Sequence, residues 1–458
     1  MSTYPARGTR DFLPDEVRRR EYVVRVVREV YERYGFEPLE TPAFENIETL
    51  LGKYGEEGNK LIFKILKRGE HEASGEADLA LRYDLTVPLA RVAAQYQHEL
   101  PKFFKRYQIQ PVWRAERPAR GRFREFFQCD IDALGSTSPT VEVELLAAVS
   151  DVLVRLGFES FKIRLNHRKV LTSILSEFGV PADSQGDALV AIDKLDKIGS
   201  DGVEKELAAR NLDPVAAAKC VAFFRQVQQL PDSPKEGLLW FLDAVSDVSG
   251  REELRTIFEL SQQTPAAGRV YIDPSLARGL SYYTGAIMEV AVSDLAGSLG
   301  GGGRYDNLIG MFLGRDIPAC GFSLGLERII GVMTERNMFP ARISRGAVDV
   351  MLTFLSDNLR GDALRLAGEL RGESLRVDVY PEASRKLEKA LKYASSRSVP
   401  VMVILGEDEH ARGEVAVRDL QTRQQDTVPR SSAAQTIASR VRLVEPRTLN
   451  TEPGTLAP

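Results

Sequence analysis

Apolar positions along the first third of the chain predict one long helix followed by short strands. Residues 14–34 carry apolar side chains three and four positions apart, the spacing of one face of an amphipathic helix, and Gly35 ends it. In 36–44 two prolines remove backbone donors and hold the preceding residues extended, which favours an edge strand. Further apolar runs predict strands at 61–66, 79–83, 103–113, 125–134, 270–272, 285–292 and 319–323. Few of these alternate with helices, so we predict an α+β domain whose mixed, largely antiparallel sheet is flanked by helices.

The remaining pattern predicts two further units. Ala-, Leu- and Lys-rich text over 168–263 indicates a helical insertion domain. Beyond it, strands at 348–354, 375–380 and 400–405 alternate with helices at 358–370 and 384–397, which is typical of an α/β domain with a parallel sheet. We therefore expect a first domain of 1–167 and 264–330, a helical insertion of 168–263, a C-terminal α/β domain of 345–445 and a flexible tail of 446–458.

Composition limits the class of protein. A length of 458 residues suggests about three domains. The 61 Lys and Arg against 65 Asp and Glu give a net charge of −4, so any nucleic acid must bind to local basic patches. We find no apolar run of the ~18 residues that a membrane span needs and no secretory signal. Three separated cysteines and four histidines argue against disulfides and zinc, so we expect a reducing cytoplasm.

Residues 103–135 carry the densest chemistry. Two predicted strands flank the polar loop 117–122, as in a hairpin. Alternation along the strands places on one face Arg114, Glu116, Arg124, Phe126, Gln128, Asp130 and Asp132. Guanidinium groups bind phosphate, an aromatic ring stacks on a purine, and carboxylates with glutamine hold an ammonium or magnesium ion. The set favours nucleotide-dependent activation of a small polar molecule; the alternative is a surface hairpin joined by Arg–Glu pairs.

Two other motifs are less specific. The run Gly300–Gly303 permits close approach of the backbone to a ligand or a strand bend, but a flexible loop is an equal alternative. Gly321–Gly325, Gly-Phe-Ser-Leu-Gly, matches the nucleophile elbow of hydrolases, which needs a histidine after Ser323. His410 alone follows, in another predicted domain, and this disfavours a hydrolase. A phosphate-binding P-loop is absent from the sequence.

Together these segments resemble the histidyl-tRNA synthetases, a family of class II aminoacyl-tRNA synthetases. Three signature motifs of the class are similar to 36–44, 103–135 and 319–330, and 276–290 resembles a peptide peculiar to the family. The segments 82–86, 300–306 and 406–409 complete a match that runs in family order over about residues 5–430. The resemblance makes the first domain catalytic and the C-terminal domain anticodon-binding.

The resemblance implies a reaction and its residues. ATP and histidine give histidyl-adenylate, which is then transferred to the 3′ end of the histidine tRNA. Residues implied to bind ATP are Arg114 at the α-phosphate, Arg122 and Arg328 at the other phosphates, Phe126 stacked on adenine, and Glu116. Mg²⁺ accompanies ATP, and no metal is held by the protein alone. Arg278, beside the carboxylate and α-phosphate, is with Arg114 the expected catalytic group.

Further residues are assigned by the same resemblance. Those implied to bind histidine are Asp84, Leu85, Thr86 and Gln128 at the ammonium end and Asp132, Tyr282 and Tyr283 at the imidazole. Ser281 departs from the pattern, since many family members have Asp there. Residues expected to contact tRNA are Arg117 and Arg120 in the loop and Arg385, Lys386, Lys389 and Lys392 on a helix whose alternative role is a solvated face.

The resemblance also implies a cytoplasmic homodimer that binds no membrane and an insertion that closes on the tRNA acceptor arm. Two rivals share the fold. One is a catalytically silent regulatory paralogue, either a subunit of the enzyme that begins histidine biosynthesis or a tRNA-sensing module. The other is an ATP-dependent ligase that uses no tRNA. The retained Arg114, Arg122, Arg278 and Arg328 argue against the first, and the C-terminal domain argues against both.

Overall fold

The protein divides into two compact units, the first ending at Met338 and the second beginning at Phe339. A computed structural model describes residues 3–69, 74–119, 121–231, 233–244, 250–277, 282–295, 297–344, 347–383 and 386–444. The predicted tail at 446–458 lies outside these ranges. Residues 168–263 belong to the first unit, so a separate insertion domain stays a proposal.

The first unit contains two sheets and the helices that cover them. Its strands are β1 (Glu37–Pro38), β2 (Phe44–Asn46), β3 (Lys64–Leu66), β4 (Ala77–Leu81), β5 (Phe104–Trp113), β6 (Glu125–Leu134), β7 (Lys162–His167), β8 (Val270–Ile272), β9 (Ala286–Ala291), β10 (Ser298–Arg304) and β11 (Ala319–Gly325). Its helices are α1 (Pro14–Arg33), α2 (Ile47–Leu50), α3 (Gly55–Lys60), α4 (Thr86–Gln95), α5 (Thr140–Arg155), α6 (Arg168–Glu177), α7 (Gln185–Ile192), α8 (Leu195–Ala209), α9 (Pro214–Gln228), α10 (Pro234–Ala244), α11 (Arg251–Ser261), α12 (Gly310–Leu313) and α13 (Leu326–Glu335).

The larger sheet has eight described strands in the order β1-β5-β6-β11-β10-β9-β7-β8. The outer pairs β1–β5 and β7–β8 are parallel and the inner pairs are antiparallel, which confirms the predicted mixed, largely antiparallel sheet. β1 lies at an edge, as its prolines predict, while β2, β4 and β3 form a second, three-stranded antiparallel sheet. The sequence pattern missed β7 and β10.

β10 corrects the flexible-loop interpretation of the glycine run. Gly300–Gly303 lie within a central strand that pairs with β11 on one side and β9 on the other. A Cβ at Gly302 would lie 2.1 Å from the Gly321 carbonyl oxygen, and one at Gly303 would lie 3.0 Å from the Tyr283 ring. The glycines are therefore required by close packing within the sheet and beside the tyrosine.

Helices bury their apolar faces on this sheet and on each other. Helix α1 begins with Pro14 at its first position and buries Val23, Val27, Val30 and Tyr31, and Gly35 follows with φ of 75°. In the predicted insertion, α6 to α9 enclose a core of aliphatic residues that also includes Leu276 and Ile287. Because these two residues belong to the sheet region, the helices of 168–263 share their core with the domain of the larger sheet.

The second unit is a five-stranded sheet with helices. Its strands are β12 (Val350–Phe354), β13 (Val377–Val379), β14 (Val401–Leu405), β15 (Glu414–Asp419) and β16 (Gln425–Pro429), and its helices are α14 (Ala341–Ser344), α15 (Arg360–Gly372), α16 (Leu387–Ser396), α17 (Glu407–Ala411) and α18 (Ala433–Val444). The three predicted strands are parallel, but β15 and β16 add an antiparallel hairpin, so the prediction of a parallel sheet was incomplete. Their mixed polar sequence gave no continuous apolar run.

Candidate active site

Strands β5 and β6 form the floor of the candidate site. Their register pairs Arg106 with Asp132, Gln108 with Asp130, and Gln110 with Gln128. Arg106, Gln108, Gln128, Asp130 and Asp132 are each 9% exposed or less. Five polar side chains buried on one face are not a solvated surface, so the alternative of a surface hairpin is wrong for this part of the two strands.

Asp132 is held at the deepest part of the floor. Its carboxylate lies 2.8 Å from the buried Arg106 guanidinium and accepts a hydrogen bond from the Tyr305 hydroxyl. A Cβ on Gly321 would lie 1.9 Å from Asp132 Oδ1, so only glycine at this position of β11 leaves space for the carboxylate. Burial raises the pKa of Asp132, while Arg106 and the Tyr305 hydroxyl oppose the increase. Arg106 and Tyr305 were not among the predicted site residues, although Arg106 lies in the hairpin segment and Tyr305 follows the glycine run.

Asp130 is the second carboxyl group of the floor, and it was not assigned a role from the sequence. Burial raises its pKa to about 7, and Arg106 opposes this effect while the neighbouring Asp132 reinforces it. Gln128 lies two residues before Asp130 on β6, and its Nε2 donates to the Ser323 hydroxyl at 2.8 Å. Ser323 thus lies within β11 as a hydrogen-bonding partner rather than at a sharp strand-to-helix turn, which contradicts a nucleophile elbow.

A wall of hydroxyl and carboxyl groups stands beside the floor. Asp84, 1% exposed, accepts hydrogen bonds from the Tyr54 hydroxyl at 2.9 Å, the Tyr282 hydroxyl at 3.3 Å and the Val87 backbone N–H at 3.1 Å. Burial raises the pKa of Asp84, and these hydrogen bonds oppose the change. Helix α4 begins at Thr86, next to Leu85, whose side chain is buried and whose carbonyl accepts from Arg106 at 3.2 Å.

Tyr283 connects this wall to the floor. Its ring lies 5.2 Å from that of Tyr282, and burial together with the surrounding negative groups raises the pKa of its hydroxyl. Those groups include Asp84, Asp130 and Asp132. The structure therefore brings together the predicted histidine-binding residues: Asp84, Leu85, Thr86, Gln128, Asp132, Tyr282 and Tyr283.

The exposed end of the hairpin carries the groups predicted to bind a nucleotide. The Arg114 guanidinium lies 4.3 Å from the centre of the Tyr83 ring and 5.2 Å from that of Phe126, while its Nε donates to the Tyr83 carbonyl at 3.1 Å. Arg122 lies 3.5 Å from the Glu116 carboxylate. The Arg328 guanidinium donates to the Ser298 carbonyl at 2.6 Å, close to Gly297 and with its stem near Gly121.

The N-terminal segment braces this hairpin, a contact that the sequence pattern did not reveal. The Arg124 backbone N–H donates to the Gly8 carbonyl at 2.7 Å, and the Arg10 guanidinium lies 4.2 Å from the Phe123 ring centre. Behind β6, Glu327 accepts from Arg20 at 2.8 Å and from the Phe127 backbone N–H at 3.0 Å. These contacts join α1, α13 and the hairpin, and fix the orientation of the nucleotide end.

Several predicted residues are placed elsewhere or lie outside the described ranges. Arg278, Ser281, Arg120 and Arg385 fall outside them. Arg117 is exposed in the hairpin loop. In the second unit Lys386 precedes α16, which begins at Leu387 rather than at the predicted residue 384, and Lys386, Lys389 and Lys392 are exposed.

Neither a metal-ligand cluster nor a membrane-spanning helix is found among the described residues. No group of three or more His, Cys, Asp or Glu side chains there is placed to hold a metal ion. Within the same ranges, no helix combines the length and apolar character that crossing a membrane requires.

Comparison with known proteins gives consistent matches. The family model described as Histidyl-tRNA synthetase matches residues 8–329, and that described as Anticodon binding domain matches 349–440. A histidine-tRNA ligase of Gloeobacter violaceus is 41% identical over 463 residues, covering 95% of this chain and 98% of that protein. The crystal structure of histidyl-tRNA synthetase from Nostoc sp. PCC 7120 is 30% identical with a TM-score of 0.79, covering 96% of this chain and 100% of that one.

A further match has a different description and, at 21% identity, shows the fold alone. The crystal structure of an ATP phosphoribosyltransferase regulatory subunit/histidyl-tRNA synthetase from Bacillus halodurans has a TM-score of 0.69 at 21% identity. It covers 88% of this chain and 98% of that one.

Proposed function

The chain belongs to the histidyl-tRNA synthetase family and joins histidine to its tRNA with ATP, and on this premise we propose which residues carry the two steps. The observation that supports the assignment best is the buried acidic floor. Asp132 acts electrostatically on Tyr283, its partner Tyr305 lies 5.9 Å from the Tyr282 ring, and the Arg114–Phe126 pair occupies the other end of the same hairpin. An amino acid with a polar ring and a nucleotide can thus bind side by side.

At the amino-acid end, we assign recognition of the histidine ring to Asp132, Tyr282 and Tyr283, and of the ammonium group to Asp84, Thr86, Gln128 and the backbone at Leu85. The Asp132 carboxylate is fixed by Arg106 and Tyr305, so it is oriented before the substrate binds. An amino acid without ring donors leaves the remaining acceptor position of this buried carboxylate without a donor, which costs about 1–3 kcal/mol. This supports discrimination at the binding step without an editing domain.

At the nucleotide end, we assign the α-phosphate to Arg114, the other phosphates to Arg122 and Arg328, and the adenine face to Phe126, with Glu116 nearby. In the contacts that the structure describes for Arg114, its partners are Tyr83 and Phe126 and not a carboxylate. This suits an arginine whose guanidinium binds phosphate. Charge builds on the α-phosphate as the histidine carboxylate attacks, and Arg114 and Arg278 are proposed to neutralise it. Both reactants are anionic, so positioning and charge supply most of the rate.

Mg²⁺ is proposed to enter with ATP as part of the substrate. The described residues offer no group of three or more His, Cys, Asp or Glu side chains placed to hold a metal ion, and Glu116, 3.5 Å from Arg122, is a carboxylate at the nucleotide end of the site. This fits an ion held mainly by phosphates and water, with one or two carboxylates from the protein.

Binding of tRNA is assigned to two places in the chain. Arg117 and Arg120 belong to the segment 117–122. Arg385 and Lys386 precede α16 in the sequence, and Lys389 and Lys392 are exposed on that helix, within the segment that matches the anticodon-binding domain. Exposed lysines at helical spacing suit contact with phosphates. We further propose a homodimer located in the cytoplasm, as the resemblance implies.

One assay separates this function from the rivals. Exchange of labelled pyrophosphate into ATP that depends on histidine reports adenylate formation, and charging of the histidine tRNA reports transfer. A regulatory paralogue binds ligands without exchange, and a tRNA-independent ligase exchanges without charging. Absence of histidine-dependent exchange in folded protein would refute the assignments. Arg278→Ala is expected to retain the wild-type melting temperature and lose most of the exchange rate, whereas undiminished exchange would remove Arg278 from its role.

A further inference from the structure

Three buried oxygen atoms of the site floor lack hydrogen-bond donors among the described residues, and one of them, Asp132 Oδ2, is ion-paired with Arg106. Asp130 Oδ1 and Gln128 Oε1 have no partner among the described residues, although their side chains are only 2% and 9% exposed. Both residues are on β6, two positions apart, so their side chains leave the same face of the sheet. Buried acceptors without donors cost about 1–3 kcal/mol each, and native proteins keep few of them.

Small residues flank Asp130 on the neighbouring strands. Asp130 pairs in register with Ser323 on β11, and Ser323 pairs with Gly301 on β10. In the same way, Asp132 pairs in register with Gly321 on β11, and Gly321 pairs with Gly303 on β10. On two neighbouring strands, the residues that border the carboxyl groups are thus small.

The charge around the two carboxyl groups is unbalanced. Asp130 is in electrostatic reach of Arg106 on β5, Asp132 on its own strand and Asp84 ahead of α4. It also acts on Tyr31 of α1, on Cys129 beside it and on Tyr283. Arg106 acts on Asp130 and Asp132, and Arg114 acts on Asp84, so three carboxyl groups face two arginines and the set has an excess of negative charge when all three are ionised.

We propose that Asp130 is a further specificity-determining residue, whose carboxylate, with the Gln128 carbonyl oxygen, accepts hydrogen bonds from a nitrogen of the histidine substrate. The donor is a cationic or polarised N–H, supplied by the α-ammonium group or by the imidazole ring. This assignment rests on the proposed function of the site and adds a second carboxylate to the one already assigned to the ring. Ionised Asp130 favours the ligand, and protonated Asp130 loses the attraction.

The test uses Asp130→Asn in the full-length protein, with Asp183→Asn, an exposed carboxylate of the 181–184 loop, as the matched control. Histidine-dependent pyrophosphate exchange is measured from pH 6 to pH 8 with saturating ATP, and the KM for ATP is measured separately. At pH 8 we expect the variant to raise the KM for histidine at least tenfold, with the KM for ATP within twofold of wild type. At pH 6 the ratio of the two KM values for histidine should fall below threefold, because wild-type Asp130 is then largely protonated. Titration of the substrate imidazole is common to both proteins and cancels in this ratio.

Two competitive inhibitors identify the donor. Histidinol carries both the ammonium group and the ring, and 4-methylimidazole carries the ring alone. A tenfold weaker histidinol constant in the variant with an unchanged 4-methylimidazole constant assigns the ammonium group, and equal losses assign the ring. Unchanged constants for both inhibitors, or a KM ratio independent of pH, would overturn the proposal. If wild-type protein shows no histidine-dependent exchange, the proposed function fails instead.

Discussion

Replacement of Arg106 by Met removes the only positive side chain among the described residues of the floor that contacts Asp132. Arg106 is fully buried, lies 2.8 Å from Asp132, and donates to the Leu85 carbonyl at 3.2 Å and to Gln108 Oε1 at 3.3 Å. Methionine fills a similar volume without charge or donors. In the variant, the negative charges of Asp132 and Asp130 are therefore no longer compensated by Arg106 whenever these residues are ionised.

The expected loss follows from burial. Removing one partner of a buried ion pair costs about 3–5 kcal/mol, since the remaining charge is uncompensated. Protonation limits this loss: without Arg106 the folded-state pKa values of Asp130 and Asp132 rise further, while those of the unfolded chain stay near about 4. A raised folded pKa destabilises the protein as pH rises from the unfolded to the folded value. We therefore expect the variant to lose about 3 kcal/mol or more at pH 8 and clearly less at pH 5.

Urea unfolding followed by tryptophan fluorescence measures this loss in the first unit, because the two tryptophans, Trp113 and Trp240, both belong to it. Arg106→Met with Asp132→Asn is the control, since it removes the pair together. The double variant should recover at least about 1 kcal/mol relative to Arg106→Met alone. A loss below about 1 kcal/mol at pH 8, or additive losses in the double variant, would refute the view that Arg106 neutralises the floor.

Three further predictions concern stability and tRNA. Asp130→Asn should stabilise the protein by more than about 1 kcal/mol at pH 8, seen as a higher urea midpoint, and change its stability little at pH 4. The reason is that the pKa of Asp130 is raised to about 7 in the folded protein, so that its ionisation opposes folding at pH values above the pKa in the unfolded chain. An equal effect at both pH values would contradict this. Gly302→Ala should destabilise the protein by about 3 kcal/mol or more, since its Cβ would lie 2.1 Å from the Gly321 carbonyl oxygen. A melting temperature within 2 °C of wild type, which corresponds to a loss on the order of 0.5 kcal/mol, would contradict this and show that β11 can shift at little cost. Lys389→Ala with Lys392→Ala should weaken tRNA binding and flatten its salt dependence by a slope of about 1–2, whereas an unchanged slope across a salt series would exclude phosphate contacts.

The sequence alone was enough to predict the main helices and strands of the catalytic unit and the family to which the chain belongs. Helix α1, strands β5 and β6 and the alternation of polar residues on β6 follow from local periodicity, because side chains repeat every 3.6 positions in a helix and every two in a strand. The assigned residues at the hairpin and at 82–86 follow from resemblance, since their order along the chain is enough to identify them. Net charge was uninformative, because −4 is a sum that hides the arginines of one hairpin and the lysines of one helix.

The tertiary structure decided what surrounds those residues. The local sequence pattern did not predict that the glycines of β10 form a strand or which strands they pair with. Only their position between β9 and β11 shows that a Cβ would collide with neighbouring carbonyl groups. Likewise Arg106, Tyr305 and Asp130 are ordinary polar residues along the sequence, and their roles arise because strand pairing buries them around Asp132. Burial makes each charge depend on its neighbours, and these neighbours lie on strands far apart in the sequence. The sequence therefore determined which residue types are available, and the fold determined which charges are paired, which acceptors lack donors and where a substrate can supply them.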